Sequence, residues 1–294
     1  MSLVDEYRIQ CMRSLKDLSA RVKPWPDYQA MISSLLSSPP TETEIFSLGE
    51  NLKAVFKAEA RTRSQSDLSR GGASWEILVT WYLNLVFWDT DVVVLRPSKA
   101  LLPKVISDAM TVKILGVPTN KETDVIVIEI PTNGFSSQMS KNDIDLAIRQ
   151  NPLQSRVGII QCKTNWNDNA QVPMLWNMIY SAQNLHVQNV AIGSNGVSPT
   201  SFANFSYAFM TVPTNTEKNG KDNFKNTSTA VVRVQGLSGG NYWGNPTESG
   251  VASSISEYFG RNFSHVFNGG VTHHLATRVT SDSELVARFL EFDF

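Results

Sequence analysis

A carboxylate, a neutral oxygen donor and a lysine brought to one spot can hold a divalent cation and a water beside a phosphodiester. Asp145, Gln161 and Lys163 are the residues of this chain whose types and spacing suit that task. Val157-Gly158-Ile159-Ile160-Gln161-Cys162-Lys163 is a short apolar run rich in β-branched residues and reads as a strand. Asn142 to Ile148 reads as its neighbour, with a turn through Asn151-Pro152 between them. Side chains alternate across a strand, so Gln161 and Lys163 share one face while Cys162 points to the other. An Asp entering the first strand then meets an oxygen donor and a lysine on the next. Asp143 projects to the same face as Asp145, which is preferred because it opens the run Leu146-Ala147-Ile148. Asp124 is a third candidate, read as a strand-start residue on a neighbouring hairpin, and Asp124 with Glu129 is the next pair to consider if Asp145 fails.

The order of an Asp followed by a strand carrying Gln161-x-Lys163 resembles the PD-(D/E)xK nuclease superfamily, the fold class of most type II restriction endonucleases. Ile160-Gln161-Cys162-Lys163 is also similar to the Mrr-like branch, in which Gln stands where an acidic residue is usual; no Pro precedes Asp145. The resemblance implies an α/β fold, a restriction-endonuclease-like αβββαβ core with a mixed central sheet. It implies a Mg²⁺ site, with Mn²⁺ able to substitute. There Asp145 is the main carboxylate ligand, and the Gln161 amide oxygen and the Cys162 backbone carbonyl fill further positions. Lys163 holds or deprotonates the attacking water. A neutral Gln161 lowers the site's negative charge, so Glu76, a helix-borne carboxylate, is expected to compensate.

The elements that must position these residues follow from periodicity. Val4 to Leu18, Tyr28 to Leu36 and Thr43 to Ala60 read as N-terminal helices. Ser74 reads as the cap of an amphipathic helix whose stripe is Trp75, Leu78, Val79, Tyr82, Leu85 and Val86, with Glu76 in its first turn. Strands are expected over 91–95 and 122–130, with a short helix near Lys104 to Met110 between them. After the two motif strands come a helix with Pro173 in its first turn and a strand over Val187 to Gly193. From Ser74 onward this is helix, three strands, helix, strand, with the 91–95 strand as an addition. The C-terminal part reads as loop-rich, with a strand at Ala230 to Val234 and helices over about 251–259 and 283–292. A soft boundary near residue 70 would divide an N-terminal helical region, 1–70, from a nuclease core with recognition or dimerisation elements, 71–294, in one continuous globule.

Composition narrows the class. The chain has 294 residues, 41% hydrophobic and 18% charged, enough for a sizeable core. No apolar stretch is long enough to span a bilayer, and Met1-Ser2-Leu3-Val4-Asp5-Glu6 is acidic rather than a basic and apolar leader, so the expectation is a cytoplasmic protein without membrane contact. Cys11 and Cys162 are the only cysteines and fall in a helix and a core strand, which speaks against a disulfide framework. A net charge of −1 counts against a histone-like or nonspecific coating protein but does not exclude a cleft enzyme with a local basic patch. Arg61, Arg63 and Arg70 in the basic loop, and Asn165 and Asn167 just beyond Lys163, are candidates for contact with phosphates or base edges. His273-His274 lacks spaced partner ligands and reads as packing or solvent-facing.

The expected activity is therefore Mg²⁺-dependent hydrolysis of double-stranded DNA by a type II restriction enzyme, acting as a homodimer on a palindromic site. The alternatives are an Mrr-like or repair nuclease of the same fold, or a catalytically silent binding protein.

Overall fold

The computed structural model describes residues 2–60, 68–119, 123–164, 190–212, 217–218, 221–222, 240–242 and 255–294. The fold is α/β with a mixed central sheet. Its strands are β1 (Val92–Leu95), β4 (Val125–Glu129), β5 (Arg156–Lys163), β7 (Asn204–Thr211) and β10 (Gly240–Tyr242), in the spatial order β1-β4-β5-β7-β10. β1, β4 and β5 pair antiparallel, whereas β5, β7 and β10 pair parallel. A second, antiparallel sheet has the order β3-β2-β6, formed by β2 (Val112–Ile114), β3 (Val117–Thr119) and β6 (Val190–Ile192), and β8 (Glu217–Lys218) pairs antiparallel with β9 (Lys221–Asp222).

Alternation along the central strands divides the core in two. Val92, Val94, Val125, Val127, Ile160, Cys162, Ala208 and Met210 face one layer. That layer is built by α1 (Asp5–Val22), α2 (Trp25–Leu35), α3 (Glu42–Ala60), α4 (Leu68–Val86), α7 (Ser256–Asn262), α8 (Val271–Ser281) and α9 (Ser283–Glu291). Val93, Leu95, Ile126, Ile128, Val157, Ile159 and Phe209 face the other, which α5 (Lys104–Ala109) and α6 (Lys141–Gln150) cover together with Tyr7 and Cys11 of α1. With both faces covered, β5 is buried from Val157 through Cys162, so its sequence is nearly continuous in apolar residues. Residue 70 falls inside α4, and the N-terminal helices share their hydrophobic cluster with α4 and the sheet.

α4 is fastened near its middle and near its C-terminal end. The Trp75 indole N–H donates to the Met210 carbonyl at 3.0 Å, and the Asn84 amide donates to the Val94 carbonyl at 2.8 Å while its oxygen accepts from the Val94 N–H at 3.1 Å. The second pair satisfies backbone groups on an edge strand, which would otherwise be unpaired in a buried setting. α4 thus runs from the C-terminal end of β7 to β1, and its orientation sets where Glu76 can reach.

Three expectations are corrected. Residues Asn142–Ile148 are helical, not a strand. Ser140 and Asp143 cap α6 reciprocally, the Ser140 N–H donating to Asp143 at 2.9 Å, and Ile144, Ala147 and Ile148 recur at helical spacing on the buried side. The strand near Val190 does not join the central sheet but pairs with β2; the parallel partner of β5 is β7. α4 begins at Leu68, so Ser74 lies buried inside the helix instead of capping it. His273 and His274 lie on α8, a helix that was not expected. The helix expected after Pro173 and the strand at Ala230–Val234 lie outside the described residues. Among the described residues, no helix is long and apolar enough to cross a membrane.

Candidate active site

Gln161 and Lys163 occupy the last turns of the pleat on β5, and their register partners on β7 are Phe209 and Thr211. The antiparallel pairing of Val125 with Ile160 brings the residue before Val125, Asp124, alongside them. The Asp124 carboxylate accepts two hydrogen bonds from β5 through one oxygen, from the Gln161 amide Nε2 at 2.6 Å and from the Cys162 backbone N–H at 2.8 Å. The amide's orientation follows from charge: its NH₂ must face the carboxylate, because the opposite flip would set oxygen against oxygen. That leaves the other end of the amide, Oε1, buried with no hydrogen-bond partner. Gln161 is 2% exposed, so this oxygen is not satisfied by bulk water.

Glu76 completes the group from α4. Its side chain is 13% exposed, and it accepts a hydrogen bond from Arg96, which follows β1 and is 43% exposed. Burial pushes the Glu76 carboxyl above its ordinary range; Arg96 pulls the other way, the nearby Asp124 charge pushes it higher still, and Lys163 partly offsets this. Asp124 and Lys163 are therefore close enough to bias the ionisation of Glu76. The buried Cys162 thiol faces the α4 layer, on the opposite side of β5 from the Gln161 side chain. Desolvation, reinforced by Asp124 and Glu76, holds it far above the usual thiol range, so it stays protonated and belongs to the core. The hydrogen bond that Cys162 makes to Asp124 comes from its main chain.

Asp145 does not belong to this group. It sits on α6, where one carboxylate oxygen accepts the Val105 N–H at 2.6 Å and the other accepts Arg149 Nε at 3.0 Å. The reason lies in α5. That helix starts after Pro103, which has no side chain able to cap it, so its first-turn N–H is satisfied by a carboxylate from the neighbouring helix. Arg149 also reaches Asp108 at 2.9 Å, and Lys104 and Asn195 bind Asp108 as well, at 3.0 and 3.1 Å. Asp143 serves as the capping residue of α6. Glu129 lies at the far end of β4, paired with Arg156 at 3.1 Å and His265 at 2.8 Å.

Of the residues singled out from sequence, Gln161 and the main chain of Cys162 meet Asp124, not Asp145, and Asp124 and Lys163 lie near enough to Glu76 to act on its carboxyl. Asp124 carries the same sequence signal that favours Asp145: it opens a β-branched run, Val125 to Ile128, and that run is longer and purer. Arg96 was not singled out; a cation directly after a four-residue apolar strand was the available signal. Arg70 falls on the first turn of α4, and Arg61, Arg63, Asn165 and Asn167 lie outside the described residues.

The donors present are hard oxygens: two carboxylates and a buried amide oxygen without a partner. Among the described residues, no group of three or more His, Cys, Asp or Glu side chains is arranged to hold a metal. A strongly binding all-protein cage is thus absent from those residues. The set matches the sparser pattern of a Mg²⁺ site, in which one or two carboxylates suffice and water and substrate phosphate supply the remaining oxygens. The chain matches no protein-family model and no curated protein sequence.

Proposed function

We propose that this protein is a Mg²⁺-dependent endonuclease acting on double-stranded DNA, with a PD-(D/E)xK-type centre made of Glu76, Asp124, Gln161 and Lys163. The observation that carries the reading is the meeting of Asp124 with Gln161 at 2.6 Å, in the company of Glu76 and Lys163, at one end of a mixed sheet. The arrangement of α4, three antiparallel strands and a parallel fourth strand supports a restriction-endonuclease-like core. Type II restriction cleavage by a homodimer is the specific form favoured, because a short palindromic site calls for two-fold symmetric reading.

Asp124 and Glu76 would hold the cation, and the unpartnered Gln161 Oε1 would turn to it as a neutral third donor. When bound, Mg²⁺ supplies charge neutralisation on the phosphate and a water of lowered pKa. Lys163, on the same face as Gln161, orients the attacking water and offsets the negative charge that grows on the phosphate oxygens. Asp124 has a second task. By accepting both the Gln161 amide and the Cys162 N–H, it ties the end of β4 to β5 and keeps the site's geometry before any substrate arrives.

The test is cleavage of a long unmethylated duplex in Mg²⁺, in Mn²⁺ and in excess EDTA, beside a gel shift in Ca²⁺. Discrete fragments in Mg²⁺ or Mn²⁺ and none in EDTA are expected, with Lys163→Ala binding DNA but not cutting it. Cleavage that persists in EDTA would remove the metal from the reading.

A further inference from the structure

Arg96 is a cation that no part of the site described so far requires. Its guanidinium donates to Glu76, its side chain is 43% exposed, and it leaves the end of β1 on the same sheet end as Asp124 and Lys163. Among the described residues the formal charges there balance: Glu76 and Asp124 are negative, Lys163 and Arg96 positive. Bringing a divalent cation to a balanced group is unfavourable unless one of the resident cations yields its carboxylate. Lys163 lies next to the strand pairing of β5 with β7, and its carbonyl is held by the Val212 N–H and the Thr211 hydroxyl, both at 2.9 Å. Arg96 has the more exposed position and a long side chain whose planar fork fits a phosphate.

We infer that Arg96 is a positioning residue that occupies Glu76 in the cation's stead and moves to a DNA phosphate when the cation enters. The inference rests on the proposed metal-dependent nuclease site and adds to it an order of assembly. Metal and Arg96 compete for Glu76, and a phosphate relieves the competition by accepting the guanidinium. By linkage, DNA then raises the affinity for metal, and metal raises the affinity for DNA. A site of this kind holds little metal on its own and fills when substrate is present.

The sign of the effect separates this role from a merely structural one. A residue that only braces Glu76 would, when removed, loosen the metal; a competitor, when removed, tightens it. Mn²⁺ binding to the free, full-length protein is measured by electron paramagnetic resonance at pH 8.5, to keep Glu76 ionised. Wild type, Arg96→Gln, Arg96→Lys and Asp124→Asn are compared, with melting curves recorded for each. Arg96→Gln is expected to bind Mn²⁺ about fivefold more tightly than wild type. Arg96→Lys, which keeps the charge, should stay near wild type. Addition of duplex DNA should tighten Mn²⁺ binding by wild type and do so less for Arg96→Gln. Unchanged or weaker Mn²⁺ binding by Arg96→Gln, with wild type binding and Asp124→Asn not, would overturn the competition and leave the nuclease site intact. Failure of wild type to bind Mn²⁺ with or without DNA would overturn the metal site itself and this inference with it.

Discussion

Two acidic clusters flank the same sheet, and they differ in how far their polar atoms are satisfied. Asp108 and Asp145 lie in a closed network: Arg149 bridges them, Lys104 and Asn195 bind the first, and the Val105 N–H binds the second. Burial alone would raise the Asp108 carboxyl, but Arg149, Lys104 and Asn195 together hold it below the ordinary range. At the end of β4 and β5 the balance is opposite. Glu76 is held above its range, and Gln161 keeps a buried oxygen with no donor among the described residues. The first network satisfies its charges within the fold, whereas the second leaves Glu76 in surroundings that disfavour its charge, a pattern common at functional sites. The chemistry of the residues is the same in both places, and only their surroundings tell them apart.

The largest effect that can break this contrast comes from exchanging equivalent carboxylates. Asp124→Asn should lose cleavage by about a thousandfold or more, and Lys163→Ala by a similar factor with DNA binding retained. Asp145→Asn should cut within a few fold of wild type. A plasmid-cleavage time course in Mg²⁺ decides the matter, and an inactive Asp145→Asn beside an active Asp124→Asn would reverse the assignment.

Glu76→Gln sharpens the contrast, because activity and stability should move in opposite directions. Cleavage should fall by about ten- to a hundredfold. The melting temperature at pH 8 should rise, since the folded state disfavours the ionised carboxylate that the amide replaces. The sign follows from a folded pKa above the unfolded one: the wild type's deficit is present above the folded value and disappears as pH falls below about 4.5, where the side chain is protonated in both states. Melting curves between pH 4 and pH 8 test this, and a variant that melts lower throughout would show that Glu76 is a stabilising ion-pair partner.

The closed network makes a smaller prediction of the opposite kind. Asp145→Asn removes the outside cap of α5 and one partner of Arg149, so it should cost about 1 kcal/mol, or roughly 2–4 °C of melting temperature. Asp108→Asn should matter most at neutral pH. The folded pKa of Asp108 is depressed, so its contribution is present above the unfolded value of 3.8 and is lost as pH falls through the folded value. The two proteins' stabilities should therefore converge on acidification.

The finest test is Gln161→Glu. It sets a second carboxylate against Asp124 where an amide donates at 2.6 Å, so the variant should melt lower in EDTA, be rescued by Mg²⁺, and reach full cleavage at a lower Mg²⁺ concentration. An unchanged Mg²⁺ requirement would mean that Gln161 does not face the cation.

Much of this architecture is legible in the chain alone because it depends on local period. The three N-terminal helices, the strand from Arg156 to Lys163, the apolar run after Asp124 and the placing of Gln161 opposite Cys162 all follow from spacings of two or of three and four residues. Ser140-x-x-Asp143 followed by Ile144, Ala147 and Ile148 also spelled a helix, but a short apolar run after an Asp looks the same whether it is a buried strand or the inner side of a helix. Which Asp meets Gln161 could not be read from order along the chain. Asp124 lies 37 residues away from Gln161 and reaches it only through the antiparallel register of β4 on β5. The capture of Asp145 by the uncapped start of α5, and the closeness of Arg96 to Glu76, likewise arise between elements that local patterning forms but does not pair. Tertiary packing decided which carboxylates brace α5 and α6 and which sit beside Gln161 and Lys163.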